Sequence, residues 1–229
     1  MTVKRMREVW FIRHGESLAN AGARTTEASG YGLTELGVRQ AAQVAAALSA
    51  EPDLIVHSPY HRAKQTALPS IQRFAKVPVE EWPVQEVQYL DPAKCAGTTQ
   101  DERRAMSLEY WDRCEPAHAE PDAESFHVFI ERARQSLHGL SQRSEGRTFV
   151  FCHGQFMSAI AWLLLSRPAI IDKIAMRRFY QFIHGYSVPN GSVMPVFFHH
   201  DGTRSLGGLW LPDGVEVADA NLAGGLAGV

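Results

Sequence analysis

The sequence has few cysteines and no long apolar run. Its three cysteines among 229 residues, Cys95, Cys114 and Cys152, follow no metal-binding spacing. The longest apolar stretch, from Phe156 to Leu165, has about half the length that a membrane span requires. The short apolar run after the polar residues 1–8 does not predict a signal peptide. These shortages argue against a disulfide scaffold, a zinc module and a membrane protein, and they favour a cytoplasmic protein with reduced thiols.

A strong charge of either sign is also missing. The chain carries 23 Lys and Arg against 25 Asp and Glu, and its formal net charge is −2. Because a nucleic-acid-binding domain shows a basic excess, we expect no nucleic-acid partner. An anionic ligand would have to be held by local positive charge in a pocket. The length of 229 residues and a hydrophobic content of 45% suffice for one substantial core, so we expect a single domain over residues 1–229.

The first informative motif is Arg13-His14-Gly15, which directly follows the apolar run Val9–Ile12. A run of β-formers that ends in charged residues predicts a buried strand delivering side chains to one edge of a sheet. In open α/β sheets the ligand crevice lies at that carboxyl edge. Arginine offers a fork of donors to oxyanions, and histidine can act as a nucleophile. We expect Gly15 to let a ligand approach the backbone.

A second strand-like run repeats this arrangement. Thr148–Cys152 is rich in β-formers and ends at His153-Gly154. One His-Gly pair is weak evidence, but two pairs, each at the end of a predicted strand and one beside Arg13, are unlike a chance pattern. We therefore expect both histidines in one site.

Four elements together resemble the histidine phosphatases, also called the phosphoglycerate-mutase-like superfamily, in the branch with an Arg-His-Gly motif. The order and rough spacing of the four elements agree with that family. They are Arg13-His14-Gly15-Glu16-Ser17-Leu18-Ala19-Asn20, the Leu-Thr-Glu element at 33–41, the Ser-Pro-x-x-Arg-Ala element at 58–67, and His153-Gly154.

The alternation of predicted strands and helices indicates an α/β fold with a mostly parallel sheet covered on both faces. The resemblance implies a three-layer α/β/α sandwich with one antiparallel edge strand. We also expect a small insertion over the active site at 82–122 and a Gly/Ala-rich tail at 212–229. The predicted strands are 9–13, 54–57, 77–79, 148–152, 193–199 and 204–211, the last two forming a hairpin around residues 201–202. The predicted helices are 35–49, 61–75, 101–113, 123–143, 155–166 and 168–179. We expect Thr34 to be the N-cap of the first helix and Pro168 to lie in the first turn of the last one.

The resemblance implies that His14 is the nucleophile of a phosphoryl transfer and forms a phosphohistidine. It further implies that Arg13, Arg62 and His153 hold the phosphoryl oxygens. For Arg62 the sequence gives independent support, because Arg62 comes just after the predicted strand ending at His57 and so lies near the same sheet edge.

Three polar residues are weaker substrate-binding candidates. Asn20 matches an asparagine of the family and could donate a hydrogen bond. Ser17 either does the same or begins a helix, and Gln155 either contacts the phosphate or opens the helix after His153.

The leaving group of a phosphate ester needs a proton, and the resemblance implies a carboxylate after the third strand. Glu86, within residues 84–90, is the best match, while Glu80 and Glu81 are rivals by position. Next to a phosphate the pKa of Glu86 should rise, which suits a general acid near neutral pH.

Two other clusters have plainer interpretations. His199-His200-Asp201 could suggest a metal, but neighbours on a strand point to opposite faces, so we favour a polar strand end. The aromatic residues of the predicted insertion either line a pocket or form a small core; they are Trp82, Tyr89, Tyr110 and Trp111.

The sequence therefore predicts a phosphomonoester hydrolase that needs no metal or other cofactor and acts on a small phosphorylated molecule or a phosphoprotein. One alternative is a phosphoglycerate-type mutase, but the chain lacks that group's Arg-His-Tyr-Gly and Leu-Gln-Gly elements. It also lacks a Gly-x-x-x-Gly-like segment of many family phosphatases. A second alternative is a member that binds a phosphorylated ligand without turnover. The sequence does not determine the oligomeric state and is compatible with a homodimer.

Overall fold

The computed structural model describes residues 6–217, and these follow the predicted alternation of strands and helices. The described strands are β1 (Arg7–Arg13), β2 (Leu54–His57), β3 (Val79–Glu81), β4 (Arg147–Cys152), β5 (Val193–Phe198) and β6 (Arg204–Leu206). The described helices are α1 (Glu35–Ala47), α2 (His61–Arg73), α3 (Pro92–Cys95), α4 (Gln100–Arg113), α5 (Phe126–Gln142), α6 (Gly154–Ser166) and α7 (Lys173–Gly185). Most of the predicted tail, from residue 218 onward, lies outside the described residues. No helix between residues 6 and 217 is long and apolar enough to cross a bilayer.

The strands form one sheet in the order β3-β2-β4-β1-β5-β6. β1, β2, β3 and β4 run parallel, whereas β5 pairs antiparallel with β1 and the short β6 pairs antiparallel with β5. The predicted sheet, mostly parallel with an antiparallel edge, is thus confirmed. Because the four parallel strands point the same way, their carboxyl ends meet at one edge of the sheet.

Both faces of the sheet are covered, which makes the molecule a three-layer sandwich. Successive strand residues enter opposite cores, as Phe11 and Ile12 of β1 show. On the Ile12 side the strands pack against α1 and α2, through residues such as Val44 and Ala67. On the Phe11 side they pack against α5, α6 and α7, through residues such as Phe129. This two-sided burial explains why the strands read as continuous apolar runs.

The last helix begins later than the sequence predicts. The interpretation of 168–179 as a helix with Pro168 in its first turn is wrong, because α7 runs from Lys173 to Gly185. Arg167 ends α6 in the left-handed conformation. The Asp172 side chain then accepts a hydrogen bond from Ala175 N and starts α7 as its N-cap. By contrast, Thr34 caps α1 as predicted, through Gly37 N.

Two strands also differ from their predicted bounds. β3 lies two residues later than predicted, because Val77 N still donates to Phe74 O in the turn that closes α2. β6 ends at Leu206 rather than at residue 211. There Gly207 N donates to Pro195 O, but proline has no N–H with which to complete the pair. The hairpin around residues 201–202 is present, closed by His199 N donating to Thr203 O at 2.9 Å.

The aromatic residues of segment 82–122 pack with the helices of one face. Tyr89 and Tyr110 stack with ring centroids 4.4 Å apart, and Trp111 stacks on Tyr180 of α7 at 5.0 Å. Trp111 also meets Phe126 of α5 edge-on. The interpretation of these side chains as a core therefore fits Tyr110 and Trp111, whose rings join the layer formed by α5 and α7.

Candidate active site

The register of the central strands brings the two His-Gly pairs together. β1 and β4 are parallel neighbours, and Arg13 is paired with Cys152. His14 N donates to Cys152 O at 3.0 Å, so the next residues, His14 and His153, lie side by side. Their ring centroids are 5.0 Å apart and both side chains are buried. The carboxyl edge of the sheet thus places both imidazoles in one site.

The hydrogen bonds of His14 define its tautomer. Arg62 Nε donates to His14 Nε2 at 3.1 Å, and a guanidinium has no acceptor. Nε2 must therefore be unprotonated, and the ring proton lies on Nδ1, which donates to Gly15 O at 2.7 Å. Burial, together with the positive charges of Arg62 and Arg13, holds the pKa of His14 well below its ordinary value. His14 is consequently a neutral imidazole with a lone pair on Nε2.

Arg13 lies in the pocket beside His14. Its guanidinium donates to Val188 O, and burial lowers the pKa of Arg13 to about 10, which still leaves it charged at neutral pH. A Cβ on Gly154 would lie 3.2 Å from Arg13 Nε. The glycine of the second His-Gly pair therefore leaves space for the arginine that ends β1.

Arg62, in the first turn of α2, is held by two aromatic rings. Its guanidinium carbon lies 4.5 Å from the ring centroid of Tyr31 and 4.8 Å from that of Tyr60. Arg62 Nη1 also donates to Ala28 O at 2.7 Å. These contacts fix the guanidinium beside His14, as the sequence predicts from the strand end at His57.

His153 lies beside His14 but has no exposed surface. Its Nε2 forms a 2.8 Å hydrogen bond with Ser58 Oγ, just after β2, and its ring meets that of Tyr60 edge-on at 5.2 Å. Burial and the charge of Arg62 hold the pKa of His153 well below its ordinary value. The structure therefore brings His153 to the site as a neutral, enclosed side chain.

Glu86 is the carboxylate that faces this cluster. It lines the pocket together with Arg13, His14 and Arg62. Its oxygens accept hydrogen bonds from Gln155 N at 3.1 Å and Phe156 N at 3.2 Å, at the start of α6. Desolvation raises the pKa of Glu86, against the lowering effects of the bond from Gln155 and of the two arginines. A carboxyl group with a raised pKa can hold a proton closer to neutral pH.

The two rival carboxylates are engaged elsewhere. Glu80 pairs with Arg143 at 2.6 Å and accepts from Trp82 Nε1 at 2.8 Å. Glu81 pairs with Lys64 at 2.7 Å. These partners lower the pKa of both carboxyl groups, and neither residue lines the pocket.

Ser17 and Asn20 both line the pocket. Ser17 Oγ donates to Asn20 Oδ1 at 2.9 Å. The interpretation of Ser17 as a helix start is wrong, because it begins an isolated turn closed by Ala21 N donating to Ser17 O. The sequence interpretation missed Asn190, which donates to His14 O at 2.9 Å and to Asn20 Oδ1 at 3.2 Å. The sequence feature that could have pointed to Asn190 is the Pro-Asn-Gly turn that precedes β5.

Gln155 occupies the first turn of α6 and does open that helix. Its backbone N–H donates to Glu86. Gln155 is buried and does not line the pocket.

Gly15 has a different role from the one expected. A Cβ at this position would lie 2.4 Å from the carbonyl oxygen of Gly37 in α1. A Cβ on Gly37 would in turn lie 2.0 Å from Glu16 O. The start of α1 thus fills the space beside Gly15, and the close approach there is between two backbone segments rather than between backbone and ligand.

The pocket that His14 lines continues well beyond the phosphate-sized site. Its further walls come from the loop after β1 and from the segment after Glu86; they include Thr25, Glu27, Tyr89, Pro92, Cys95 and Arg103. Among residues 6–217, no group of three or more His, Cys, Asp or Glu side chains could hold a metal ion. His199 Nε2 instead forms a 2.8 Å hydrogen bond with Ser205 Oγ.

A family model for the histidine phosphatase superfamily (branch 1) matches residues 9–204, and this chain therefore belongs to that superfamily. A comparison with curated proteins finds no match.

Several solved structures share the fold. One is the α-ribazole phosphatase from Shigella flexneri, with a TM-score of 0.68 and 20% identity over 92% of this chain and 98% of that chain. Another is the mycobacterial glucosyl-3-phosphoglycerate phosphatase, with a TM-score of 0.67 and 22% identity over 88% of this chain and 97% of that chain. A third is a mutant of the phosphoserine phosphatase from Entamoeba histolytica in complex with phosphoserine. Its TM-score is 0.67, with 20% identity over 89% of this chain and 96% of that chain. At such identities the likeness shows a shared fold and no particular substrate.

Proposed function

We propose that this protein is a metal-independent phosphomonoester hydrolase that works through a phosphohistidine on a small phosphorylated molecule or a phosphoprotein. The observation that carries the proposal is the neutral His14, whose Nε2 lone pair lies among Arg13, Arg62 and Glu86 in one pocket. Phosphoryl transfer requires mainly positioning and charge stabilisation around the phosphoryl oxygens. The two guanidinium groups supply that positive charge in the place where a metal ion acts in other phosphatases.

In the first step His14 Nε2 attacks phosphorus, and the bond from phosphorus to the ester oxygen breaks. Glu86 gives its proton to the departing oxygen, so an alcohol leaves. Arg13 and Arg62 stabilise the charge on the three remaining phosphoryl oxygens. The Nδ1 proton of His14 stays on the ring, held by Gly15 O.

In the second step water attacks the phosphohistidine. Glu86, now a carboxylate, accepts a proton from that water, the bond between phosphorus and Nε2 breaks, and phosphate leaves. This step restores the neutral imidazole and the protonated carboxyl group. Ser17 and Asn20, which line the pocket, would complete the hydrogen bonds around the phosphoryl group. The enclosed His153 would support this site from beside the His14 ring. The proteins that share this fold include an α-ribazole phosphatase, a glucosyl-3-phosphoglycerate phosphatase and a phosphoserine phosphatase, which supports hydrolysis over transfer to a second substrate oxygen.

The test is the release of p-nitrophenol and phosphate from p-nitrophenyl phosphate. We expect turnover by the wild type in the presence of EDTA, its loss in His14→Ala, and an acid-labile phosphate on His14 in protein quenched during turnover. His138→Ala removes an exposed imidazole from α5 and is the matched control. No release above background between mildly acidic and neutral pH would favour a binding protein. Incubation with 3-phosphoglycerate and a bisphosphate primer, followed by NMR, would reveal a mutase.

A further inference from the structure

The part of the pocket beyond the phosphate site is built by two segments that are distant in sequence. Thr25, in the loop after β1, is bridged to Thr98, just before α4. Thr25 N donates to Thr98 O at 3.1 Å, and Gly97 N donates to Thr25 O at 2.8 Å. These paired backbones form a defined wall of the pocket, to which both Thr25 and residues of α3 and α4 contribute.

Arg103 of α4 lies on this wall and lines the pocket. Its Nη1 atom donates to Thr25 Oγ1 at 3.3 Å, to Thr98 O at 3.1 Å and to Thr98 Oγ1 at 3.1 Å. All three acceptors are uncharged. Within residues 6–217 no carboxylate lies within 4.0 Å of the Arg103 guanidinium, whereas Arg24 on the outer side of the same wall pairs with Glu102. The structure therefore fixes the side chain of Arg103 through one nitrogen without neutralising its charge.

The other charges of the pocket leave Arg103 without a partner of opposite sign. The Glu86 carboxylate accepts hydrogen bonds from Gln155 N and Phe156 N, and the charges of Arg13 and Arg62 lower its pKa. Glu27 also lines the pocket, but its carboxylate folds back onto its own loop, since a Cβ on Gly30 would lie 2.3 Å from Glu27 Oε1. A partly buried cation at the edge of a pocket is a favourable place for an oxyanion, because a guanidinium binds carboxylate or phosphate through two parallel hydrogen bonds.

We propose that Arg103 binds a second anionic group of the substrate, so that this protein prefers phosphomonoesters whose leaving group carries a carboxylate or another phosphate. The inference rests on the proposed phosphatase function, with Arg13 and Arg62 binding the phosphoryl group that is transferred. Arg103 is thus a specificity-determining residue, separate from the residues that carry out the chemistry.

The test compares pairs of phosphate esters that differ only in one terminal group. Each pair consists of an alditol phosphate and the aldonate phosphate of the same length, from glycerol phosphate with 3-phosphoglycerate to glucitol 6-phosphate with 6-phosphogluconate. For the wild type we expect kcat/KM to favour the carboxylate by at least about tenfold at one chain length, the typical effect of one charge-assisted contact. Adding a bisphosphorylated ester to the series separates a carboxylate site from a site for a second phosphate.

Arg103→Gln keeps a hydrogen-bond donor for Thr98 but removes the charge, and it should abolish this preference. Arg103→Lys keeps the charge and should restore part of it. Arg104→Gln removes the same charge from the exposed neighbour on α4 and should preserve the wild-type ratio. No preference in the wild type at any chain length, or an equal loss by Arg103→Gln for both members of each pair, would overturn the proposal.

The same esters separate this inference from the proposed function. If the wild type releases no phosphate from any ester, including p-nitrophenyl phosphate, the hydrolase proposal fails. Dissociation constants of the same pairs, measured by calorimetry on the wild type and Arg103→Gln, then decide the role of Arg103. A preference that depends on Arg103 upholds the second anion site, and equal affinities within each pair overturn it.

Discussion

Arg62 Nε donates a hydrogen bond to His14 Nε2 across 3.1 Å. The lone pair that would attack phosphorus therefore already points at a cation that would bind the phosphoryl group. When an ester enters, Arg62 must exchange this bond for one to a phosphoryl oxygen. The rings of Tyr31 and Tyr60 keep the guanidinium within reach during that exchange, so the nucleophile and its electrostatic partner are organised before substrate binds.

The first prediction concerns the protonation state of His14. Because burial and two neighbouring arginines lower its pKa, the ring should stay neutral over the range of about pH 5 to 8 in which ordinary histidines titrate. Long-range nitrogen NMR spectra should show Nε2 unprotonated and Nδ1 protonated throughout that range. The signals of His14 are assigned by their absence from the spectrum of His14→Ala. An imidazolium at position 14 at pH 6 would contradict the tautomer assigned from Arg62.

The second prediction concerns the pH dependence that Glu86 confers. A general acid works in its protonated form, and the raised pKa of Glu86 keeps that form to a higher pH. The kcat/KM for esters with poor leaving groups should fall as pH rises through this pKa. Glu86→Gln should slow such esters by about 10²-fold or more and remove the fall, while nitrophenyl esters lose much less.

Glu81→Gln is the matched control for this experiment. It removes a carboxylate that pairs with Lys64 on the surface. The pH profile of kcat/KM should therefore remain that of the wild type. Equal slowing of good and poor leaving groups by Glu86→Gln would remove Glu86 from the acid role.

The sequence predicted the central part of the site because local patterns and strand register act together there. Apolar runs ending in His-Gly define where β1 and β4 stop, and parallel strands in one sheet place both ends at one edge. Arg62 follows from the same logic, since it lies one turn beyond β2. Glu86 could be selected from its sequence context, whereas its position depends on contacts with the backbone of α6.

Tertiary contacts that leave no periodic signal were not predictable. Asn190 reaches His14 from a turn that follows α7 by only a few residues, and a Pro-Asn-Gly turn has many other uses. The sequence places the start of α7 too early, because Pro168 suits a first turn, whereas Asp172 provides the side-chain cap that begins the helix. The sequence suggests ligand access at Gly15, because it cannot show that the backbone of Gly37 lies beside Gly15.

The third prediction concerns an ion pair that anchors the segment carrying Glu86. Arg132 pairs with Glu124 at 2.5 Å and donates to Pro83 O and Gln85 O at 3.0 and 2.8 Å. The two side chains are only 11% and 17% exposed. Arg132→Met should lower the free energy of unfolding by about 3 kcal/mol, because it leaves a largely buried carboxylate without its partner. Urea denaturation followed by circular dichroism measures this change.

Two further variants test the cause of that loss. Arg132→Met combined with Glu124→Gln should recover part of the stability, because no unpaired charge remains. Arg24→Met breaks a pair with Glu102 whose side chains are 62% and 44% exposed, and it should cost less than about 1 kcal/mol. A loss of similar size in Arg24→Met and Arg132→Met would contradict burial as the source of the difference.

The fourth prediction concerns the contact between the loop after β1 and the start of α1. A Cβ on Gly37 would lie 2.0 Å from Glu16 O, and backbone cannot move aside as a flexible side chain can. Gly37→Ala should therefore lower the free energy of unfolding by at least about 2 kcal/mol. It should also reduce kcat by about 10²-fold, because the displaced loop holds His14 and attack requires accurate placement.

Gly185→Ala provides the matched control at the end of α7. A Cβ there meets no atom within 4 Å, and alanine favours the helical backbone, so stability should be unchanged or higher by up to about 1 kcal/mol. Denaturation curves and the turnover of p-nitrophenyl phosphate measure both variants in parallel. If Gly37→Ala kept wild-type stability and turnover, then the packing of α1 against residues 15–16 would not be what positions His14.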